Sequence, residues 1–150
     1  MLPMWVVVAD SSACRLFAAD APAGSLQELE VLSHPEGRLH EQDLVSDRPG
    51  RTFDSQGTGR HAKEVEVGPK KHEAIVFAGR IAERLEAGRV RNAFDKLALI
   101  APPEFLGLLR DALNPQLRAL VLHEVDKNVS RLDPAAIRTR LPERLFALGQ

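Results

Sequence analysis

The sequence predicts an α/β protein, a three-layer sandwich built around a five-stranded mixed sheet. Three observations lead to this fold class. The first part of the chain contains three short strand-like stretches separated by turn residues, and the last half alternates helix-like and strand-like stretches. Between them, residues 34–72 form a polar run with almost no apolar periodicity. The predicted order of elements is therefore β-β-β-loop-α-β-α-β-α.

The three N-terminal stretches predict an antiparallel meander. Residues 5–10 are apolar on both faces, which is typical of a central strand covered on both sides. Residues 14–19 predict a second strand with Arg15 pointing outward, and residues 26–32 predict a third. The turns between these stretches are short, so we expect neighbouring strands to pair antiparallel.

The third stretch alternates in its second half. Leu29 and Val31 alternate there with Glu28 and Glu30. Because successive side chains of a strand point to opposite faces of the sheet, the alternation predicts that the two glutamates share one solvated face.

The longest predicted helix covers about residues 70–91. Pro69 stands where this helix could begin, since a proline in the first turn forfeits no helical hydrogen bond. Apolar residues recur behind it at helical spacing, and they predict one buried face. These residues are Ala74, Phe77, Ala78, Ile81, Ala82 and Leu85.

Two further strands alternate with helices in the last part of the chain. Residues 96–101 predict a buried strand that Pro102 and Pro103 halt, and residues 120–125 predict the fifth strand. Alternation of this kind favours parallel strands with helices packed on the sheet. The intervening helix has its apolar stripe between residues 105 and 113, ends at Asn114–Pro115, and is followed by a further helical turn at residues 116–119.

The last predicted helix begins at Asp133, a capping acid that precedes a first-turn proline, Pro134. Ile137, Leu141 and Leu145 are expected to face the core. Pro142 is expected to kink or break this helix, since an interior proline removes a backbone hydrogen bond.

The composition indicates one domain over residues 1–150, with a long polar loop at about residues 34–69. The single cysteine, Cys14, excludes an internal disulfide and a cysteine-rich zinc site, and we expect it to be a small buried apolar residue. The apolar stretch at the N-terminus is too short for a signal peptide or a membrane span. A cytoplasmic location without membrane contact is therefore predicted. With a net charge of -1, any binding of nucleic acid requires a local basic patch.

The polar loop holds the candidate binding residues. Two glycines two positions apart allow backbone N–H groups to approach an anion, and arginines and lysines around them suit phosphate contacts. The loop is neither a Walker A loop nor a dinucleotide fingerprint. A solvated mixed-charge loop without a ligand would have a similar composition, because acidic residues are interleaved. The candidate RNA- or anion-binding residues are Arg48, Arg51, Ser55, Gly57, Gly59, Arg60, His61, Lys63, Lys70 and Lys71.

The sequence contains no recognised catalytic or metal-binding signature, so no catalytic residue, metal or cofactor is predicted. His123 lies in an apolar strand and is expected to be a packing residue with a satisfied ring. The loop does hold residue types that bind metal or transfer protons, but their spacing matches no known ligand pattern. They are His40, Glu41, Asp43, Asp47, Asp54, His61 and His72.

Four segments together resemble the bacterial host attachment protein family, also called "protein required for attachment to host cells". They are WVVVADSSACRLF, DLVSDRPGRTFDSQGTGRHA, LALIAPPEFLGLLRDAL and LHEVDKNVSRLDPAAIRTRL. The resemblance covers nearly the whole chain. This family is in turn similar to the middle domain of archaeal and eukaryotic peptide-chain release factors and of Pelota, with the same order of elements.

The similarity to release factors implies a role at the ribosome or on another structured RNA. In release factors, the loop before the long helix carries Gly-Gly-Gln, which promotes hydrolysis of peptidyl-tRNA. The loop in this sequence reads Gln56-Gly57-Thr58-Gly59-Arg60 at the corresponding place, without Gly-Gly-Gln. The resemblance therefore implies a basic loop that contacts phosphates, and it does not imply peptide release.

Three hypotheses of function stay open at this point. In the first, the loop binds the ribosome or a structured RNA without catalysis. In the second, the loop covers a small or phosphate-bearing substrate of an enzyme, with His61 or His72 as the acid–base residue. In the third, which rests on the family's name, the protein takes part in attachment to host cells.

Overall fold

The computed structural model describes residues 2–34 and 68–147. Within them, five strands form one mixed sheet. The strands are β1 (Met4–Ala9), β2 (Ala13–Ala19), β3 (Gln27–Ser33), β4 (Lys96–Ile100) and β5 (Val121–Val125). Their order in the sheet is β3-β2-β1-β4-β5. Strand β1 lies at the centre, antiparallel to β2 and parallel to β4. Strand β3 is antiparallel to β2, and β5 is parallel to β4, so the meander and the parallel part of the sheet are both confirmed.

The first helix of the described residues has nearly the predicted bounds, whereas the last one is shorter than predicted. Each described helix begins with a proline in its first turn. Asn114, predicted as a helix end, instead caps the next short helix, since its side chain accepts a hydrogen bond of 2.8 Å from the Leu117 N–H. Asp133 caps the last helix in the same way through the Ala136 N–H, at 2.8 Å. The helices are α1 (Pro69–Val90), α2 (Pro103–Ala112), α3 (Pro115–Arg118) and α4 (Pro134–Arg138).

Two apolar cores lie on the two faces of the sheet, which gives the three predicted layers. One core joins the sheet to α1, α2 and α3, and its largest buried side chains include Phe77 and Phe94. The other core joins the sheet to the C-terminal chain from Val129 to Phe146. Every residue of β1 is buried, as expected for a central strand covered on both sides.

The C-terminal layer is less helical than predicted. Helix α4 ends at Arg138, four residues before Pro142, yet Leu141 and Leu145 are still buried in the second core. Arg138 explains how this irregular chain is held, because its guanidinium donates to the carbonyl oxygens of Pro142 and Glu143, each at 2.8 Å. It also donates to the carbonyl oxygen of Gly24 at 2.8 Å, in the turn between β2 and β3.

The predicted alternation of β3 is wrong, because a bulge interrupts it. Glu28 pairs with Phe17 and Glu30 pairs with Leu16, so Leu29 is an extra residue between them. Phe17 and Leu16 belong to different cores, and the two glutamates therefore lie on opposite faces of the sheet. The other edge strand, β5, has a similar register shift. The consecutive residues Leu97 and Ala98 pair with Val121 and His123, so Leu122 has no paired residue on β4.

Arg15 does not point outward into solvent as predicted. Its side chain is 18% exposed and forms a two-pronged ion pair with Glu28, with N–O distances of 2.9 and 3.0 Å. The same guanidinium donates to the carbonyl oxygens of Ser130 at 3.1 Å and Leu132 at 2.6 Å. Arg15 therefore links β2 to the C-terminal layer through these hydrogen bonds.

Candidate functional site

A cleft of about 660 Å³ opens at the edge of the sheet where β1 and β4 end. This volume lies within the range of about 300–1,000 Å³ that is usual for small-molecule sites. The carboxyl ends of parallel strands are the common position of such sites in α/β sheets. The residues that line the cleft are Asp10, Ser11, Gly68, Pro69, Lys70, Lys71, Ala74, Pro102, Glu104, Phe105, Leu108 and Asn128.

The topology of the chain brings these residues together. Asp10 follows β1 directly, and Pro102 lies two residues after the end of β4. Since β1 and β4 are parallel neighbours, their carboxyl ends meet at the same edge. Helices α1 and α2 both begin there, and their first turns form two walls of the cleft.

Asp10 holds one wall of the cleft in place. Its Oδ1 accepts hydrogen bonds from the N–H groups of Ser12 and Ala13 at 2.8 and 2.9 Å, and its Oδ2 accepts one from the Ser130 hydroxyl at 2.8 Å. Burial opposes the charged form of Asp10, but the hydrogen bonds from Ser12, Ser130 and Ala13 outweigh it and lower the pKa of the carboxyl. Asp10 therefore stays ionised and joins the β1–β2 turn to the chain that follows β5.

Lys70 and Lys71 stand in the first turn of α1, at the cleft. The N-terminus of a helix carries partial positive charge, so acidic residues are favoured there and basic residues are not. The first turn of α1 contains no acidic residue, and its N-cap, Gly68, forms no side-chain cap. The lysines thus add to the positive potential of the helix end, which is an arrangement suited to an anion.

His34, which directly follows β3, contacts side chains of α1. The Nε2 atom lies 2.9 Å from Glu73 Oε1, and the Nδ1 atom lies 3.1 Å from Arg80 Nη1. A guanidinium only donates, so Nδ1 accepts and Nε2 carries the proton that is donated to Glu73. The ring is 2% exposed and stacks on Phe77 with 5.0 Å between the ring centroids. These contacts fix the end of β3 against the first turns of α1.

Of the ten predicted binding residues, the structure places two, Lys70 and Lys71, and both line the cleft. The other predicted binding residues lie outside the described residues. They are Arg48, Arg51, Ser55, Gly57, Gly59, Arg60, His61 and Lys63.

The remaining predictions about single residues concern Cys14, His123 and metal binding. Cys14 is fully buried, and burial, with the charges of Glu30 and Asp10, raises the pKa of its thiol, so it is no nucleophile. His123 is a packing residue whose Nε2 lies 2.8 Å from the carbonyl oxygen of Leu145, as predicted. In residues 2–34 and 68–147, no group of three or more His, Cys, Asp or Glu side chains could hold a metal ion.

Most residues of the cleft were not predicted from the sequence. Asp10, Ser11, Glu104, Phe105, Leu108 and Asn128 carry no motif, and they approach one another only because of the strand order. The available signal was positional: Asp10, Pro102 and Asn128 each follow the end of β1, β4 or β5 by a few residues.

No helix in the described parts of the chain is long and apolar enough to cross a membrane.

The fold and the cleft define an α/β protein with a mixed five-stranded sheet and a basic-rimmed cleft at its carboxyl edge. The chain belongs to the family described as "Protein required for attachment to host cells", whose model matches residues 5–141. The expected family membership is therefore confirmed. A comparison with curated proteins gave no match.

Ten chains of solved structures are similar to this protein. One is the crystal structure of an archaeal translation termination factor, aRF1, with 12% sequence identity and a TM-score of 0.46. The similarity covers 94% of this chain and 35% of that chain, so the protein spans about a third of the length of the termination factor.

Proposed function

We propose that the protein is a non-catalytic factor that binds the phosphate backbone of the ribosome or of another structured RNA. The observation that carries this proposal is the position of Lys70 and Lys71 at the rim of the cleft, in the first turn of α1. The RNA would contact these lysines together with Arg48, Arg51, Arg60 and Lys63, which precede them in the sequence.

Charge explains why this surface would favour RNA even though the net charge of the protein is -1. Phosphate contacts depend on local positive charge, and two lysines at a helix N-terminus concentrate it at one point. Each phosphate that a lysine or arginine neutralises releases counterions, so the binding constant should fall steeply with salt. The acidic residues interleaved between the arginines would keep the affinity moderate.

The first experiment is sedimentation of the tagged protein through a sucrose gradient of cell lysate at low and moderate salt. We expect the protein to migrate with ribosomal particles at low salt and to leave them as the salt concentration rises. Purified particles and purified protein in the same gradient then show whether the contact is direct. A protein that stays at the top of the gradient at both salt concentrations would contradict the proposal.

Matched variants identify the surface. Lys70→Ala/Lys71→Ala and Arg48→Ala/Arg51→Ala/Arg60→Ala should each weaken binding and flatten its dependence on salt. The control is Arg140→Ala/Arg144→Ala, which also removes two positive charges. Both control residues are exposed in the C-terminal layer, across the sheet from α1. Equal losses in the control and in the lysine variant would indicate unspecific attraction to RNA and would contradict the proposed site.

The volume of the cleft supports a second candidate function, an enzyme that acts on a small phosphate-bearing substrate. In this case His61 or His72 would transfer the proton. Incubation with a panel of phosphate esters tests this candidate directly. Turnover that His61→Gln or His72→Gln abolishes would favour it, and turnover that both variants retain would contradict these assignments.

Membership in the family supports a role in attachment to host cells. We propose that this role is indirect and that the protein acts in the cytoplasm, where an RNA partner is present. Deletion of the gene should reduce attachment, and the wild-type protein should restore it, whereas Lys70→Ala/Lys71→Ala should not. Cell fractionation that finds the protein at the cell surface would contradict the cytoplasmic location.

A further inference from the structure

We infer that the cleft at the ends of β1 and β4 holds a single nucleotide unit with one phosphate group. This inference rests on the proposed function, because it concerns the same lysines. It adds that the site receives a base and a sugar as well as a phosphate. The unit could be a free nucleoside monophosphate or one nucleotide of an RNA strand, and the experiment below distinguishes these sources.

The size of the cleft and its apolar wall indicate more than a phosphate site. A volume of about 660 Å³ is far larger than a phosphate group requires. Ala74 lines the cleft from α1, while Pro102, Phe105 and Leu108 line it from the start of α2. Small-molecule sites combine an apolar surface of this kind with a few polar groups that fix the ligand's orientation. A planar base fits an apolar wall, whereas a phosphate alone gains nothing from it.

The charges in the cleft favour one phosphate over several. Two carboxylates, those of Asp10 and Glu104, line the same cleft as Lys70 and Lys71. A triphosphate carries about two more negative charges than a monophosphate, so the carboxylates would repel it more strongly. A monophosphate can lie at the lysines, with the rest of the ligand extending toward the carboxylates.

The same cleft offers partners for a sugar. The Ser11 hydroxyl forms no hydrogen bond within the part of the chain that the structure describes. Asn128 also lines the cleft, and its Oδ1 lies 3.1 Å from the Ser130 hydroxyl, which leaves its amide N–H₂ available to a ligand. Glu104 can accept hydrogen bonds from sugar hydroxyls or from the amino group of a base. Lysines that can bind a phosphate and polar groups that can bind hydroxyls, together in one cleft, match the phosphate and the sugar of a nucleotide.

The test titrates the purified full-length protein with the four nucleoside 5′-monophosphates, with the matching triphosphates, with inorganic phosphate and with a short single-stranded RNA. Calorimetry and the thermal unfolding midpoint are the readouts. We expect at least one monophosphate to raise the midpoint and to bind more tightly than inorganic phosphate or the matching triphosphate. Lys70→Ala/Lys71→Ala should weaken this binding about tenfold or more, because charge-assisted hydrogen bonds are lost.

A second variant blocks the cleft without touching the lysines. Ser11→Tyr places a large side chain at the cleft, at a position whose hydroxyl forms no hydrogen bond within the described residues. It should reduce monophosphate binding as strongly as the lysine variant does. Arg140→Ala/Arg144→Ala should leave this binding unchanged, and circular dichroism of each variant verifies that the fold is retained.

The outcomes separate the inference from the proposed function. Monophosphates that bind and compete with the RNA would support both. Binding of monophosphates without RNA binding would support a free nucleotide as the ligand and contradict the proposed function. RNA binding that Ser11→Tyr leaves intact, with no binding of monophosphates, would overturn the inference alone. If neither ligand binds, both are overturned.

Discussion

The imidazole of His34 and the carboxylate of Glu73 join two parts of the chain that are far apart in sequence. Nε2 of His34 lies 2.9 Å from Oε1 of Glu73, at the end of β3 and in the first turns of α1. Phe77 and Arg80 contact the same ring from one and two turns further along α1, respectively. The start of α1, which carries the lysines of the cleft, is therefore fixed to the sheet through one buried histidine.

His34→Ala should lower the free energy of unfolding by about 2–4 kcal/mol, since it removes a buried ring and two hydrogen bonds. Chemical denaturation at neutral pH measures the change. His72→Ala is the matched control, because His72 lies on α1 one residue before Glu73 and is exposed. A loss of similar size in both variants would show that histidine content, and not the contacts of His34, determines the effect.

Two glycines of α1 should respond to alanine in opposite directions. A Cβ at Gly88 would lie 2.8 Å from Cη2 of Trp5, whereas a Cβ at Gly79 would meet no atom of the described residues within 4 Å, apart from the chain next to it in its own helix. Gly88→Ala should therefore destabilise the protein by about 1–3 kcal/mol through overpacking. Gly79→Ala should stabilise it by about 0.5–1 kcal/mol, because alanine favours the helix. Denaturation midpoints that shift the same way for both variants would contradict the close packing of Trp5 against Gly88.

Asp10→Asn should lower stability at neutral pH, and the deficit should shrink in acid. The pKa of Asp10 in the folded protein lies below its ordinary value of 3.8, so its ionised form contributes stability above that pH. This contribution is lost as the pH falls through the lowered pKa. We expect a deficit of about 1–2 kcal/mol at pH 7, typical of hydrogen bonds to a charged acceptor.

Urea denaturation of the wild type and of Asp10→Asn between pH 7 and pH 3 measures this effect. Asp20→Asn serves as the control, since Asp20 is exposed after β2. A stability difference between Asp10→Asn and wild type that is constant over the whole pH range would refute the role of the charge.

Arg138→Lys should loosen the C-terminal layer. The guanidinium donates at 2.8 Å to the carbonyl oxygens of Gly24, Pro142 and Glu143, and an ammonium cannot reach all three in one geometry. We expect a loss of about 1–3 kcal/mol. Faster hydrogen exchange at Leu145, whose N–H donates to the carbonyl oxygen of Pro22, should accompany it. Arg140→Lys, at an exposed position two residues away, should change neither quantity.

The sequence predicted the fold because each element carries a local signal. Pro69 and Pro134 marked the starts of two helices, the apolar face of α1 had helical spacing, and β1 was apolar throughout. The buried face of α1 was predicted residue by residue, and all six residues are buried. The alternation in β3 is one prediction that was wrong, because a bulge depends on the pairing partner and cannot be recognised from the strand's own sequence.

The candidate site was harder to predict for a similar reason. Lys70 and Lys71 were found because they belong to a basic stretch. The cleft around them is assembled from the ends of strands and helices that are distant in sequence, such as Asp10, Pro102 and Asn128. Only the strand order, which places β4 beside β1, brings these positions together. Predicting the strand order from the sequence would therefore locate the cleft, which no motif does.

The bulges at Leu29 and Leu122 also bear on how the protein behaves at high concentration. They lie in the two outermost strands of the described sheet, and each interrupts the regular spacing of backbone hydrogen-bonding groups. Exposed leucines at a straight sheet edge would invite a strand of a neighbouring molecule to add on. An edge strand that bends at the leucine offers no straight template. Each bulge therefore hinders amyloid-like stacking at the exposed leucine itself.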